Sequence, residues 1–539
     1  MIHCFAPIQQ LDRVCYGQFM ANSLLKSGSK LSVLILGSRV LGLVREMTKA
    51  AFLGTSAISD AFTVAFMIPN LLRRLFAENS ISVAFIPTFR QYLDTRDKSE
   101  TRDFLSATFT LISFFTSITV VLGILATPLI VPLFGTGTPE TVLLTRIMFP
   151  YLAIISIAAF FQGILNGVKI FSPSGFTPIL FNGIIIICTY VLTPMMANPA
   201  RAMATGVLLG GAVQALFQLP FVLKNGFRFS FISLRRALND QGTRKVLRLI
   251  GPTIIGMAAY QMNDLISTIL AGNAGEGVVS SIQYSLRMQE LILGIFAVSI
   301  GTVILPDLAG HAAKKNWGSF NKLLALAMNG IALITIPVTF YSLVSGEGLV
   351  TLLFKSRSFS DESVRLTLSA FTWHIAGLYF IALNRIIAPA FYAQSDTKSP
   401  TIAGIFSFGI NIALALALVS PMKGGGIALA LSAASAANTV ILVLYLRKNE
   451  SIDISMVLHS TVLYALKMIV FSALAALPIW YFRTAIYAPF AGHARIISQG
   501  VPLLLSLLVF GVIGSLLLLC TKDSLAKQAV SVVRRKMQK

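Results

Sequence analysis

The stretch SRVLGLVREMTKAAFLG, Ser38 to Gly54, continues the apolar run LSVLIL yet carries Arg39, Arg45, Glu46 and Lys49. More charge follows in apolar surroundings: Asp60 in SDAF, Arg73, Arg74 and Glu78 in PNLLRRLFAE, then Arg287 and Glu290 in SLRMQELILG. A charge at mid-membrane depth costs about 2.5–3.5 kcal/mol on insertion scales and usually faces a water-filled cavity or a partner. Arg39, Arg73 and Arg287 lie in otherwise apolar sequence without an equal number of nearby acids, so an anionic guest is their expected partner. Arginine suits a phosphate, because its planar fork donates two hydrogen bonds and never loses its charge. Lys49, Arg74 and Glu78 lie nearer the expected helix ends, where snorkelling or a structural pair is the expectation.

At about 100° per residue, Arg39 and Glu46 fall within roughly 20° of one another on a helix, whereas Arg45 points about 120° from Arg39. The two arginines share a face only if the helix bends, and Gly42 between them is its weak point. The alternative is that Arg45 pairs with an acid on a neighbouring span. Pro69, in MIPNLLRR, removes a backbone hydrogen bond and is expected to kink its helix just before Arg73.

The elements that hold these residues are membrane helices. Of the 539 residues, 55% are hydrophobic and 12% charged, far from the soluble profile. Apolar runs of about 20 residues, each long enough to cross the hydrocarbon, recur along the chain. Since lipid offers the backbone no partner, such runs are helices, and a barrel is excluded. Expected spans start near Leu31, Ala61, Phe104, Val142, Gly175, Ala202, Leu247, Val278, Leu323, Val364, Pro400, Gly424, His459 and Ile496, about 14 in all. Basic residues gather in the segments after even-numbered spans and at both ends, including the cluster from Lys224 to Arg248. This asymmetry places both termini in the cytoplasm.

An internal repeat at an offset of about 220 residues organises these spans. SVAFIPTF, with Pro87, is echoed by GTVILPDL, with Pro306; NGVKIFSPSGFTPILF, near Pro178, is echoed by APAFYAQSDTKSPTIAG, near Pro400. Six spans per half make the repeats parallel, two six-helix bundles around a central cavity, with two further helices appended. The expected boundaries are a leader over 1–30, a first lobe over 31–224, a basic cytoplasmic linker over 225–246, a second lobe over 247–446, a helix pair over 447–521 and a basic tail over 522–539. Met20 opens MANSLLKSGSKLSVL, a more natural start than Met1.

The formal net charge of +22 reads as loop charge that sets topology and favours anionic membrane lipid, and no nucleic-acid motif accompanies it. The four cysteines, Cys4, Cys15, Cys188 and Cys520, form neither a disulfide framework nor a metal pattern. The five histidines make no HExxH-like pair, and the sequence holds no Walker loop or serine elbow. His374, beside Trp373, reads as a packed residue. A transporter is therefore expected, and an enzyme or an ATP-driven pump is not.

SRVLGLVRE, SDAFTVAFMIPNLLRRLFAENSISVAFIPTF, GPTIIGMAAYQMNDLISTILA, SLRMQELILGIFAVSIGTVILPDL and APAFYAQSDTKSPTI together closely resemble the MurJ (MviN) family. These are bacterial lipid II flippases of the multidrug/oligosaccharidyl-lipid/polysaccharide exporter superfamily. The resemblance implies an inner-membrane transporter whose arginines hold the pyrophosphate of lipid II, the undecaprenyl-linked peptidoglycan precursor. It also implies that the appended helix pair forms a groove for the lipid tail, and suggests peptidoglycan synthases or division proteins as partners. By motif position, Arg39, Arg45, Arg73 and Arg287 correspond to substrate-binding charges, with Asp60 and Glu46 as gating or charge-pair residues. Glu46 stands where many members have Asp. Some relatives bind sodium in the second lobe, which makes Asp264 in QMNDLIS and Asn384 in ALNRII candidate ligands, since a hard cation wants oxygens. Membrane potential alone is the other driving force. Two neighbouring activities share the expected fold: export of another polyprenyl-pyrophosphate saccharide, and cation-coupled drug export.

Overall fold

The computed structural model describes residues 34, 36–75, 81–448 and 451–527, apart from the side chains at 82, 252–260, 295–303 and 305. The leader, Glu78 and most of the basic tail lie outside the described residues. Within them the chain is helical from end to end, without a strand. Helix α1 covers residues 36–53. It is followed by α2 (Ala57–Arg73), α3 (Ile86–Thr95), α4 (Lys98–Ile130), α5 (Pro139–Met148), α6 (Tyr151–Gly167), α7 (Ser172–Leu192) and α8 (Pro199–Lys224). A short α9 (Leu234–Asn239) leads to α10 (Gln241–Asn273), α11 (Val278–Ala313), α12 (Trp317–Phe354), α13 (Asp361–Ala376), α14 (Leu378–Tyr392), α15 (Lys398–Met422) and α16 (Gly424–Arg447). The chain closes with α17 (Ile454–Tyr481), a short α18 (Arg483–Tyr487) and α19 (Val501–Cys520).

Among the described residues, nine helical stretches are long and apolar enough to cross a membrane, and the pair α13–α14, bent by 43°, supplies a tenth. The remaining expected spans correspond to α1, α2, α10 and α11. They too are helical, and each carries charged residues, such as Arg45, Arg73, Arg248 and Arg287. The starts expected from hydropathy fall inside helices or helical turns, with Leu31 outside the described residues.

By its internal contacts the chain divides into two units. One comprises 1–48 and 61–262, the other 49–60 and 263–539. The order of helices in the first recurs in the second. A 33-residue α4 is answered by the 38-residue α12, and the broken pair α5–α6 by α13–α14. The hairpin α7–α8 is answered by α15–α16.

The first unit is packed largely with aromatic rings. Phe85, Phe89, Phe104 and Phe160 are essentially inaccessible, with Phe85 stacked on Phe89 and Phe104 at 5.6 and 5.7 Å between centroids. Between lipid-immersed helices such close packing, more than the expulsion of water, supplies the attraction. The segment after α8 joins this core: Phe229 packs on Phe109, Phe160 and Phe161. The basic linker is thus a folded part of the first unit, tied to α4 by hydrogen bonds from the Ser230 and Ile232 N–H groups to Ser106 Oγ and Thr110 Oγ1.

In the second unit, α12 packs against α17, and Tyr341 donates to the Leu503 carbonyl at 2.7 Å. Lys467 of α17 pairs with Asp523 at 2.7 Å, fastening the end of α19.

Candidate functional site

In the first unit, α1 places Arg45 where three groups meet it. Its Nη2 pairs with Glu46 Oε1 at 2.6 Å, its Nη1 donates to Asn182 Oδ1 at 3.1 Å, and its guanidinium stands 5.9 Å from the Phe66 ring centroid. Both members of the ion pair are nearly buried. The acid that neutralises Arg45 is its own chain neighbour Glu46, a charge-pair candidate, and not an acid on a neighbouring span. Asn182, buried on α7, also donates to the Ser38 carbonyl at 3.3 Å, so one amide braces two turns of α1. Gly42 faces the same amide: a Cβ there would meet Asn182 Nδ2 at 3.7 Å, an ordinary contact.

Arg39 is half-buried on α1, and among the described residues its side chain has no hydrogen bond or ion pair. Arg73 closes α2 and donates from Nε to Asn70 Oδ1 at 2.9 Å. The helix runs through Pro69 to Arg73, and beyond it the hydrogen bonding widens into a π-type turn. Arg74 donates to Gln261 at 3.2 Å, a structural contact.

In the second unit, residues 49–60 form a tight hairpin on the start of α11. Asp60 is 2% exposed; its Oδ2 accepts from the Gly277 N–H and its Oδ1 from the Ser280 N–H, both at 2.7 Å. It is a helix cap supplied from elsewhere in the chain. A carboxylate there satisfies two of the unpaired N–H groups of a helix start and meets the positive end of its dipole. For Asp60, a gating or charge-pair candidate, the hydrogen-bond partners are these backbone amides. Ala57 N–H donates to Glu276 at 2.8 Å, Thr55 Oγ1 to Ser363 Oγ at 2.8 Å, and Tyr284 O–H to the Gly54 carbonyl at 2.9 Å. Two glycines make the fit possible. Gly54 and Gly277 both have positive φ, and a Cβ would lie 2.0 Å from Ser358 O or 2.3 Å from Thr55 O respectively.

Lys49 begins this hairpin, 4% exposed, with Nζ 4.7 Å from the centroid of Tyr284. It does not snorkel; a cation over a desolvated aromatic face gains up to about 2 kcal/mol. Arg287 requires a correction as well. It was expected to be an uncompensated buried cation, but it pairs with Glu290 one turn on at 2.7 Å and is 37% exposed. The i, i+3 spacing of the two residues carried that signal in the sequence.

Of the candidate sodium ligands, Asp264 is exposed on α10. Asn384 is committed to α16: its Nδ2 donates to the Ser435 carbonyl and its Oδ1 accepts from Thr439, both at 2.9 Å. No hydrogen bond joins Asp264 to Asn384 among the described residues. Sequence reasoning passed over Asn411, which donates to Asn263 at 2.7 Å while its own buried Oδ1 has no hydrogen-bond partner. Buried His374 meets Ser285 Oγ at 2.6 Å through Nδ1, as a packed residue.

Long apolar helices in two like series, with buried and half-buried charges on α1, α2 and α11, define a multi-pass membrane protein of the two-repeat kind. The family model described as "Lipid II flippase MurJ" matches residues 49–497, and the chain belongs to that family. It is 50% identical over 521 residues to a probable lipid II flippase MurJ of Treponema pallidum, covering 95% of this chain and 99% of the relative. It is 33% identical over 409 residues to the Vibrio cholerae counterpart, covering 73% and 77%. Among solved structures it is similar to "Lipid II flippase MurJ, inward closed conformation", with TM-score 0.75, 24% identity and coverage of 92% and 99%. It is also similar to an inward-facing MATE family multidrug resistance transporter of the MOP superfamily, with TM-score 0.61, 18% identity and coverage of 79% and 94%. At these identities the structural matches establish the fold.

Proposed function

We propose that the chain moves lipid II from the cytoplasmic to the periplasmic leaflet of the bacterial inner membrane by alternating access, with both termini cytoplasmic. The observation that carries this reading is half-identity, across nearly all of both chains, to a probable lipid II flippase. Arg39 supports it, a half-buried guanidinium without a protein partner among the described residues, chemically suited to a pyrophosphate. In this reading Arg39 and Arg73 capture the head group, and Arg287 is the second unit's candidate, able to exchange Glu290 for phosphate. Arg45, neutralised by Glu46, positions α1.

The hairpin 49–60 is the gate. Unlatching it strips the α11 amides of Asp60, a cost that substrate or the driving force must offset. For that force the reading keeps sodium or the membrane potential. Were sodium used, Asp264 and Asn384 are the candidates to supply oxygens to it, and no step is routed through it. No covalent chemistry is asked of any residue, and synthases or division proteins that consume the exported precursor are the proposed partners.

The test is complementation of a flippase-depleted bacterium, with outer-leaflet lipid II measured directly. Restored growth with restored exposure supports the proposal. Restored growth without exposed lipid II overturns it and favours another polyprenyl-linked cargo.

A further inference from the structure

Between Lys224 and Arg248 the chain carries seven basic residues, Lys224, Arg228, Arg235, Arg236, Arg244, Lys245 and Arg248, against a single acid, Asp240. All seven are exposed, whereas Asp240 is partly buried and occupied in accepting the Thr243 N–H at 2.8 Å. Two of the cations are committed within the protein. Arg244 donates to Leu238 O and Asn239, and Lys245 to Gln91. The other five have no hydrogen bond or ion pair among the described residues.

The segment is also fixed at a definite height. Ala237 of α9 packs on Ala107 and Leu111 of α4, and the N–H groups of Ser230 and Ile232 bond Ser106 and Thr110. The charged start of α4 ends at Asp103, and no ionisable residue follows within that helix. The residues that hold the segment therefore belong to the first two turns of the apolar run, where water gives way to hydrocarbon. There the segment exposes large apolar side chains among its arginines: Phe231 at 70%, Leu238 at 38% and Leu223 at 49%. Apolar groups at the boundary with guanidinium groups around them match a phospholipid, acyl chain beside phosphate.

We propose that residues 224–248 form a seat for anionic phospholipid head groups, with Arg228, Arg235 and Arg236 taking the phosphates and Phe231 lying among the acyl chains. Charge complementarity and position select this occupant; a soluble polyanion would leave Phe231 and Leu238 in water. The inference uses the chain's place in the membrane and not its cargo.

The test uses the full chain, purified and delipidated in detergent, titrated with phosphatidylglycerol or phosphatidylcholine while bound lipids are counted by native mass spectrometry. Wild type should prefer phosphatidylglycerol by about tenfold or more, given roughly fivefold per basic residue before screening. The triple substitution Arg228→Gln, Arg235→Gln and Arg236→Gln should remove most of that preference. Lys314→Gln, Lys315→Gln and Lys322→Gln, equal in charge and also exposed, should retain it. Phe231→Ser should weaken both lipids. Equal binding of the two lipids by wild type, or equal loss in the two triple variants, overturns the proposal. Because the readout involves no lipid II, it stands or falls separately from the flippase reading.

Discussion

Replacing Asp60 by Asn isolates the hairpin latch. The carboxylate now accepts two backbone N–H groups at 2.7 Å; Asn keeps one acceptor, turns an NH2 toward the other amide, and gives up the charge. A hydrogen bond to a charged group contributes about 1.5–3 kcal/mol, and a carboxylate at a helix start about 0.3–1 kcal/mol more. The latched arrangement should weaken by about 2–4 kcal/mol, at least roughly 30-fold in its ratio to the unlatched one. Thr55 and Ser363, whose hydroxyls lie 2.8 Å apart, are the places to read this. With Cys4, Cys15, Cys188 and Cys520 replaced by Ser, the pair Thr55→Cys and Ser363→Cys should crosslink readily in an otherwise native chain. Adding Asp60→Asn should slow crosslinking by an order of magnitude or more and impair complementation. Unchanged crosslinking together with normal transport would refute the reasoning and leave Asp60 a cap without a part in gating.

Other outcomes follow from the arginines and their neighbours. Arg39→Ala should abolish complementation at normal membrane abundance, and Arg39→Lys should rescue poorly, because a point charge cannot reproduce the fork; growth at wild-type rate would assign Arg39 to snorkelling. Glu46→Ala strands the nearly buried Arg45 and should cost about 3–5 kcal/mol of stability, seen as a fall in thermal midpoint that Arg39→Ala does not share. Gly42→Ala should transport normally and gain up to about 1 kcal/mol, since its Cβ has room against Asn182; slowed transport would instead mean that α1 bends at Gly42 in the working cycle.

Hydropathy made the helices legible, because a membrane span writes its length directly into the sequence. The charged spans were harder: α1 and α11 were found through their apolar context, while their pairings depend on neighbours that periodicity does not reveal. The 120° separation of Arg39 and Arg45 was readable, and the structure gives it a meaning, since Arg45 is occupied by Glu46 and Asn182 whereas Arg39 is not. Asn182 was a lone amide in an apolar run, a recognisable signal whose partner 137 residues away was not. The latch was the least legible part. Gly54, Thr55, Gly277 and Ser280 are small loop and helix-start residues without a pattern of their own, and Asp60 reaches its amides across 217 and 220 residues.

Tyr284 gives the hairpin an intrinsic spectroscopic reporter. One side chain carries an ammonium over its face, donates its phenolic proton to the Gly54 carbonyl and lies fully buried. Its ring current, its O–H polarity and its electrostatic surroundings all depend on where residues 49–60 sit. Fluorotyrosine at position 284 should therefore show one fluorine resonance while the hairpin is seated and a displaced one when it lifts, with exchange between them timing the motion. A reporter at position 284 would thus test in a bilayer whether residues 49–60 move, without a label on that segment.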